Sequence, residues 1–221
     1  MILTDKLIKD VCSKGDIKIV PFEDCQIEPA SYDLRVGKHG ATTSTKKIVD
    51  IEKQGYMLIE PGDFAIVGVL EEITLGSKYA GRIGLRSKFA RKGLIATAGS
   101  QVDPGYHGRL KIGLTNLTPK AISLPFKDDF ITLEIHELTE PALKPYDGPY
   151  QDQLDLSPAD IEAVTEGSGM ALSEMMVTLS SLSQNVGRLS TDFEVFQKTL
   201  KIVGGILSLL IAIATIIVAL K

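Results

Sequence analysis

From Ile17 to about Leu143 the chain is a succession of short β-type apolar runs cut by Gly, Pro and Asp, and this pattern constrains the fold most. The runs IKIVPF, SYDLRVG, MLIEPGDFAIVGVLEEITL, GRLKIGLTNLT, AISLPF and FITLEIHEL follow one another too closely for crossover helices. They predict a mainly β fold, a barrel or sandwich, and not a βαβ sheet. ITLEIHEL alternates as a half-buried strand should. Ahead of them, LTDKLIKDVCSK at 3–14 predicts a short helix, with Thr4 as N-cap, Leu7, Ile8 and Val11 on one face, and Gly15 as the stop. Trp is absent and aromatics are few, so the core is mostly aliphatic.

Composition removes several functions. Net charge is −4 and the pI about 5.5, so no basic field points to nucleic acid as a partner. Two cysteines, Cys12 and Cys25, without paired spacing fit a reducing compartment and argue against a disulfide frame or a zinc site. His39, His107 and His136 are scattered, so no metal ligands are assigned. The N-terminus lacks the apolar core of a signal peptide.

The second half changes character twice. Residues 144–169 are rich in Pro, Gly, Asp and Gln and read as a lid-like or linking tail, with a helical turn at PADIEAV and a joint at Gly167-Ser168-Gly169. Then Leu172, Met175, Leu179, Leu182, Val186, Leu189, Phe193, Phe196, Leu200 and Val203 alternate spacings of three and four. That heptad seam predicts a self-associating coiled coil, with one amphipathic helix packed on the domain as the alternative. The seam runs into IVGGILSLLIAIATIIVAL at 202–220, nineteen residues without a charge, about 28 Å of helix. This predicts one transmembrane helix in a lipid bilayer. Arg188, Lys198 and Lys201 before it and only Lys221 after it predict that the N-terminal part lies in the cytoplasm.

Two polar clusters stand among the strands: Arg86-Ser87 with Arg91, and Asp103-Pro104-Gly105-Tyr106 with Gly108. Both suit a triphosphate and its sugar. Arg offers a planar fork of donors to phosphate oxygens, Ser a compact hydroxyl, Asp an acceptor for a sugar hydroxyl or a water, and Tyr a stacking face. Solvated arginines and an ordinary hairpin turn would give the same residues.

PASYDLRVG at 29–37, PGDFA at 61–65, LRSKFARKGL at 85–94, VDPGYHG at 102–108, LTNLT at 114–118 and KPYDGPYQDQ at 144–153 resemble, in order, the dCTP deaminase and dUTPase superfamily. The resemblance implies a distorted β-barrel or jelly roll, a homotrimer with sites between subunits, and a Mg²⁺-bound deoxynucleoside triphosphate, one with a pyrimidine base, as ligand. It implies that Arg86, Ser87 and Arg91 hold phosphates and that Asp103 meets the sugar 3′-hydroxyl and aims a water. By the same resemblance Tyr106 packs on the sugar, Asp33 is a scaffold group near the phosphates, and Tyr146 and Gln153 close over the nucleotide. The domain order is then 1–153 nucleotide-binding domain, 154–169 linker, 170–201 coiled-coil stalk and 202–220 membrane helix.

The departures are as informative. Where deaminases carry the glutamate that shuttles protons at C4 of the base, this chain has Gly113, which removes the main group of general acid–base deamination. Lys88 follows Arg86-Ser87 where another Ser is common, Pro149 replaces a basic tail residue, and the glycine-rich closing motif of dUTPases is absent. Three functions stay open: a dUTPase-type pyrophosphatase using Asp103, a nucleotide sensor coupled to a membrane-acting helix as in a phage-defence effector, and a scaffold.

Overall fold

The computed structural model describes residues 1–97, 99–166 and 169–219, with side chains for 1–97, 99–165 and 178–205. The elements in order are α1 (Asp5–Lys14), β1 (Ile17–Val20), β2 (Ile27–Glu28), β3 (Ser31–Thr42), β4 (Val49–Asp50), α2 (Ile51–Gln54), β5 (Tyr56–Ile59), β6 (Phe64–Val69) and β7 (Glu72–Leu75). They continue with β8 (Tyr79–Leu85), α3 (Ser87–Ala90), β9 (Leu94–Ala96), β10 (Gln101–Val102), β11 (His107–Gly108), β12 (Lys111–Asn116), β13 (Ile122–Pro125), β14 (Asp129–Glu137), α4 (Pro158–Glu166) and α5 (Gly169–Ala219). The chain divides into two compact units, Met1–Glu174 and Met175–Lys221.

The first unit is mainly β, as the short runs predict, and its strand pairs are antiparallel. A curled nine-stranded sheet runs β10-β8-β14-β3-β6-β12-β9, with β2 and β4 added on β3. β1-β7-β11 and β13-β5 form two smaller sheets. The long strand β3 pairs with β14 through its first half and with β6 through its second. A register shift between Val36 and Gly40 interrupts the pairing with β6, a bend that helps one strand pass from one flank of the curl to the other. The core is aliphatic, with Leu34, Val67, Ile112, Leu114, Ile131 and Leu133 at its centre and Tyr32, Phe89 and Phe130 as its fully buried rings. α1 forms where expected: Ile8 and Val11 face the core, and Gly15, at φ 81°, returns its amide to Cys12 and Val11.

Residues 158–166 form α4, which lays Ile161 and Val164 over Phe64, Ile66 and Ala41. Ser157 opens it, and Asp160 accepts from the Ser157 amide and hydroxyl, both at 2.6 Å, a capping box in the S-x-x-D form.

The second unit is built on α5. The described seam residues, Leu179, Leu182, Val186, Leu189, Phe193, Phe196, Leu200 and Val203, are each more than half exposed. Leu172 and Met175 have side chains outside the described residues.

The expected membrane span is corrected. Among the described residues no helix is long and apolar enough to cross a membrane. Of the stretch 202–220, the described side chains are those of Ile202 to Gly205. Four residues are about 6 Å of helix against the ~30 Å hydrocarbon core, and the helix before them carries Ser, Thr, Gln and charged residues. The side chains from 206 onward, with Leu220, lie outside the described residues. The single-pass membrane placement, the lipid partner and the cytoplasm-facing domain go with the span.

Candidate functional site

The structure places the expected site residues in two groups. The first is at the end of β8. Arg86 is the residue before α3, Ser87 begins that turn, and Arg91 follows it, exposed. Arg86 is enclosed by carboxylates: its Nη1 meets Asp33 and, at 3.1 Å, Glu28, while its Nε lies 3.1 Å from Asp129. Asp33 is buried, and its other oxygen accepts from Thr132 Oγ1 at 2.9 Å. Lys88 joins the cluster through Asp128 at 2.6 Å and Asp129 at 2.9 Å. Asp33 therefore orients Arg86 directly, which the sequence reading had only as proximity.

The second group lines a cavity of about 520 Å³, to which Asp103, Tyr106, Tyr146 and Gln153 all contribute. The DPGY segment is a tight turn, with Tyr106 N donating to Asp103 O at 3.1 Å and Gly105 at φ 87°. A Cβ on Gly105 would stand 2.5 Å from Pro145 Cβ, so the glycine serves both the turn and the close approach of the tail. Asp103 accepts from Gln101 Nε2 at 2.6 Å. Tyr106 is buried and its ring centroid lies 5.9 Å from that of Tyr146, tilted by 56°. Burial and then the neighbouring Tyr146 push the Tyr106 hydroxyl up to about 12, so it is a neutral packing face and donor at physiological pH. Arg86, Ser87 and Arg91 do not line this cavity, so one chain does not bring the two groups together.

The tail 144–155 is a strap across the DPGY turn and β11. Tyr146 N donates to Pro104 O at 2.7 Å, Asp152 N to His107 O at 2.8 Å and Arg109 N to Gln153 O at 2.8 Å, and Gln153 bridges Gly108 in parallel. His107 is clamped between strap and sheet, with Nδ1 2.5 Å from Asp152 and Nε2 2.9 Å from Glu72. Those two carboxylates, Asp152 first, raise the His107 pKa above its usual value. A raised folded pKa gives stability that is present in full below the unfolded value of about 6.5 and is lost as pH rises through the folded one. The melting-temperature difference between the wild type and His107→Gln should therefore be largest below about pH 6.5 and shrink at higher pH. A difference that grows with pH would refute the clamp.

Sequence reasoning missed the wall opposite Asp103. On β12, Lys111, Gly113 and Thr115 alternate with the buried Ile112, Leu114 and Asn116. Gly113 faces the cavity, and the room a side chain would need there is taken: a Cβ would lie 2.5 Å from Thr97 Oγ1 and 3.1 Å from the Phe64 ring. Lys111, 12% exposed, reaches Asp160 of α4, 14% exposed, at 2.6 Å and also donates to Gln153 Oε1. Burial raises the Asp160 pKa, but the bonds from Lys111 and Ser157 outweigh it and hold the carboxyl below its ordinary range. The alternation Arg109-Lys111-Gly113 was the signal available in the sequence; the partner on α4 had none. Among the described residues no cluster of three or more His, Cys, Asp or Glu could hold a metal ion.

A family profile described as dCTP deaminase-like matches residues 2–126. The dCTP deaminase of Pyrococcus abyssi is 37% identical over 145 residues, 66% of this chain and 92% of the relative. A dUMP-forming dCTP deaminase of Methanothermobacter thermautotrophicus is 32% identical over 171 residues, 68% of this chain and 86% of the relative. The crystal structure of the 2′-deoxycytidine 5′-triphosphate deaminase from Agrobacterium tumefaciens superposes with a TM-score of 0.53 at 18% identity, covering 62% of this chain and 48% of that one, and shares the fold.

Proposed function

Because the chain belongs to the dCTP deaminase-like family, we propose that it binds a deoxynucleoside triphosphate and hydrolyses it to the monophosphate and pyrophosphate without deaminating the base. The observation that carries this reading is the wall at Gly113. The cavity holds Asp103 and Tyr106, yet the place of a proton-shuttling acid is filled by Thr97 and Phe64. In this reading Asp103 takes a proton from a water whose oxygen attacks the α-phosphorus, the bond to the bridging oxygen breaks, and pyrophosphate leaves. In this reading Mg²⁺ arrives on the phosphates and neutralises part of their charge; among the described residues no cluster of three or more His, Cys, Asp or Glu could hold it.

Arg86, Ser87 and Arg91 complete the site from a neighbouring copy in a homotrimer. Two facts support this: they lie away from the cavity of their own chain, and beside them runs an apolar surface groove of about 440 Å³ lined by Leu85, Ala90, Leu94, Ile95 and Ile131. Phosphate-binding residues that do not line the cavity of their own chain are what a site shared between copies requires.

The test is the full-length protein with each deoxynucleoside triphosphate and Mg²⁺, following pyrophosphate and base deamination together. Pyrophosphate without deamination is expected, and deamination would overturn the reading. Binding without turnover would favour a nucleotide sensor, the role to which the long exposed seam of α5 is suited.

We assign that seam to self-association as a coiled coil, because eight apolar residues at heptad spacing face solvent in the single chain. Leu182→Asp should disperse the segment 168–201 to monomers in sedimentation. A segment already monomeric would remove the assignment.

A further inference from the structure

The β12 wall of the cavity holds more donors than it has acceptors to meet. Lys111 and Gly113 share a face of β12 as alternate residues of a strand, and Arg109, just before the strand, lines the same cavity. Lys111 Nζ gives two of its three N–H groups to Gln153 and to Asp160 Oδ2. Arg109 donates from Nη1 to Leu154 O at 3.2 Å, but its Nε is buried with no hydrogen-bond partner. Beside these cations, Asp160 Oδ2 already takes Lys111 and both donors of Ser157. Phe64, Ile66 and Ile83 add apolar surface to the lining, suited to the flat faces of a ring.

An ammonium and a guanidinium donate and never accept. A ring edge meeting this wall is favoured if it carries a carbonyl oxygen and is opposed, donor against donor, if it carries an amino group. We infer that Lys111 is the specificity-determining residue of the cavity, positioned by Asp160 of α4, and that it selects a keto pyrimidine over cytosine. The inference rests on the nucleotide reading above and adds the base class to it. Selection by an unmet polar group is the strong form of discrimination, because the wrong ligand leaves a buried donor unpaired.

The experiment measures binding of non-hydrolysable α,β-imido analogues of dUTP and dCTP to the full-length protein with Mg²⁺. The wild type should bind the dUTP analogue at least roughly tenfold more tightly. Lys111→Met removes the donor and keeps the stem, and Lys111→Gln supplies a donor and an acceptor together. Both should bring the ratio to within about twofold while the dCTP analogue still binds. Asp160→Asn, which loosens the position of Lys111, should lower the ratio without abolishing binding. Wild-type preference for the dCTP analogue, equal affinities, or a ratio unchanged in both Lys111 variants would overturn the inference. An equal loss of both affinities would also overturn it, since Lys111 would then serve the phosphates or the fold. If the wild type binds neither analogue, the nucleotide reading itself falls and the inference with it; binding without preference removes the inference alone.

Discussion

Asp103→Asn is expected to lower pyrophosphate release by at least about a hundredfold, the low end of what a positioned general base contributes. The substitution keeps shape and size, and the amide oxygen can still accept from Gln101 Nε2, as the carboxylate does at 2.6 Å. What is lost is the ability to take a proton. Affinity for the triphosphate should therefore change far less than turnover, because the sugar and phosphate contacts assigned to Tyr106, Arg86, Ser87 and Arg91 are untouched. Rapid-quench measurement of pyrophosphate beside equilibrium binding separates the two. A variant that binds ten times more weakly but turns over normally would make Asp103 a sugar contact and no more.

The largest effect on stability is expected at Glu71. Its side chain is fully buried, Arg35 beside it is 4% exposed, and two hydrogen bonds join them: Arg35 Nε to Oε1 at 2.6 Å and the Arg35 amide to Oε2 at 2.9 Å. Glu23 takes another Arg35 nitrogen from the surface side. Glu71→Ala leaves a buried guanidinium and a buried amide without their acceptor. Breaking such a pair from one side costs about 3–5 kcal/mol, a large part of the ~5–15 kcal/mol that holds a domain together. Urea unfolding should show the midpoint falling accordingly. The double variant Arg35→Met, Glu71→Leu should recover much of the loss, because it buries no unpaired charge. A loss below about 1 kcal/mol in the single variant would mean that water or Glu23 compensates Arg35.

The parts of this molecule that were legible in the sequence are those whose causes are local. Short apolar runs between turn residues gave the mainly β architecture, Gly15 gave the end of α1, and DPGY gave the tight turn that carries Asp103 and Tyr106. The cage around Arg86 was not legible, because Glu28, Asp33 and Asp129 reach it from three separate strand regions. Gly113 could be seen as a missing acid, but that Thr97 and Phe64 occupy its space is a fact of packing. Asp160 reads locally as a capping residue; its bond to Lys111 joins residues 49 positions apart. The span was expected because an uncharged apolar run is a purely local signal, and the described helix does not meet the length and apolarity that a bilayer demands.

Strand β3 is the one element that touches both ends of this arrangement. Asp33, near its start, holds Arg86, and Ala41, near its end, lies beneath Val164 of α4. The eight residue steps between them reach at most roughly 26 Å, along a strand that bends at its register shift but hardly lengthens. The interval between the cation cluster and the roof of the cavity is thus a constant of each copy. In the shared site proposed above, adjustment to a larger guest would fall to the seating of one copy against the next and not to any stretch within a chain.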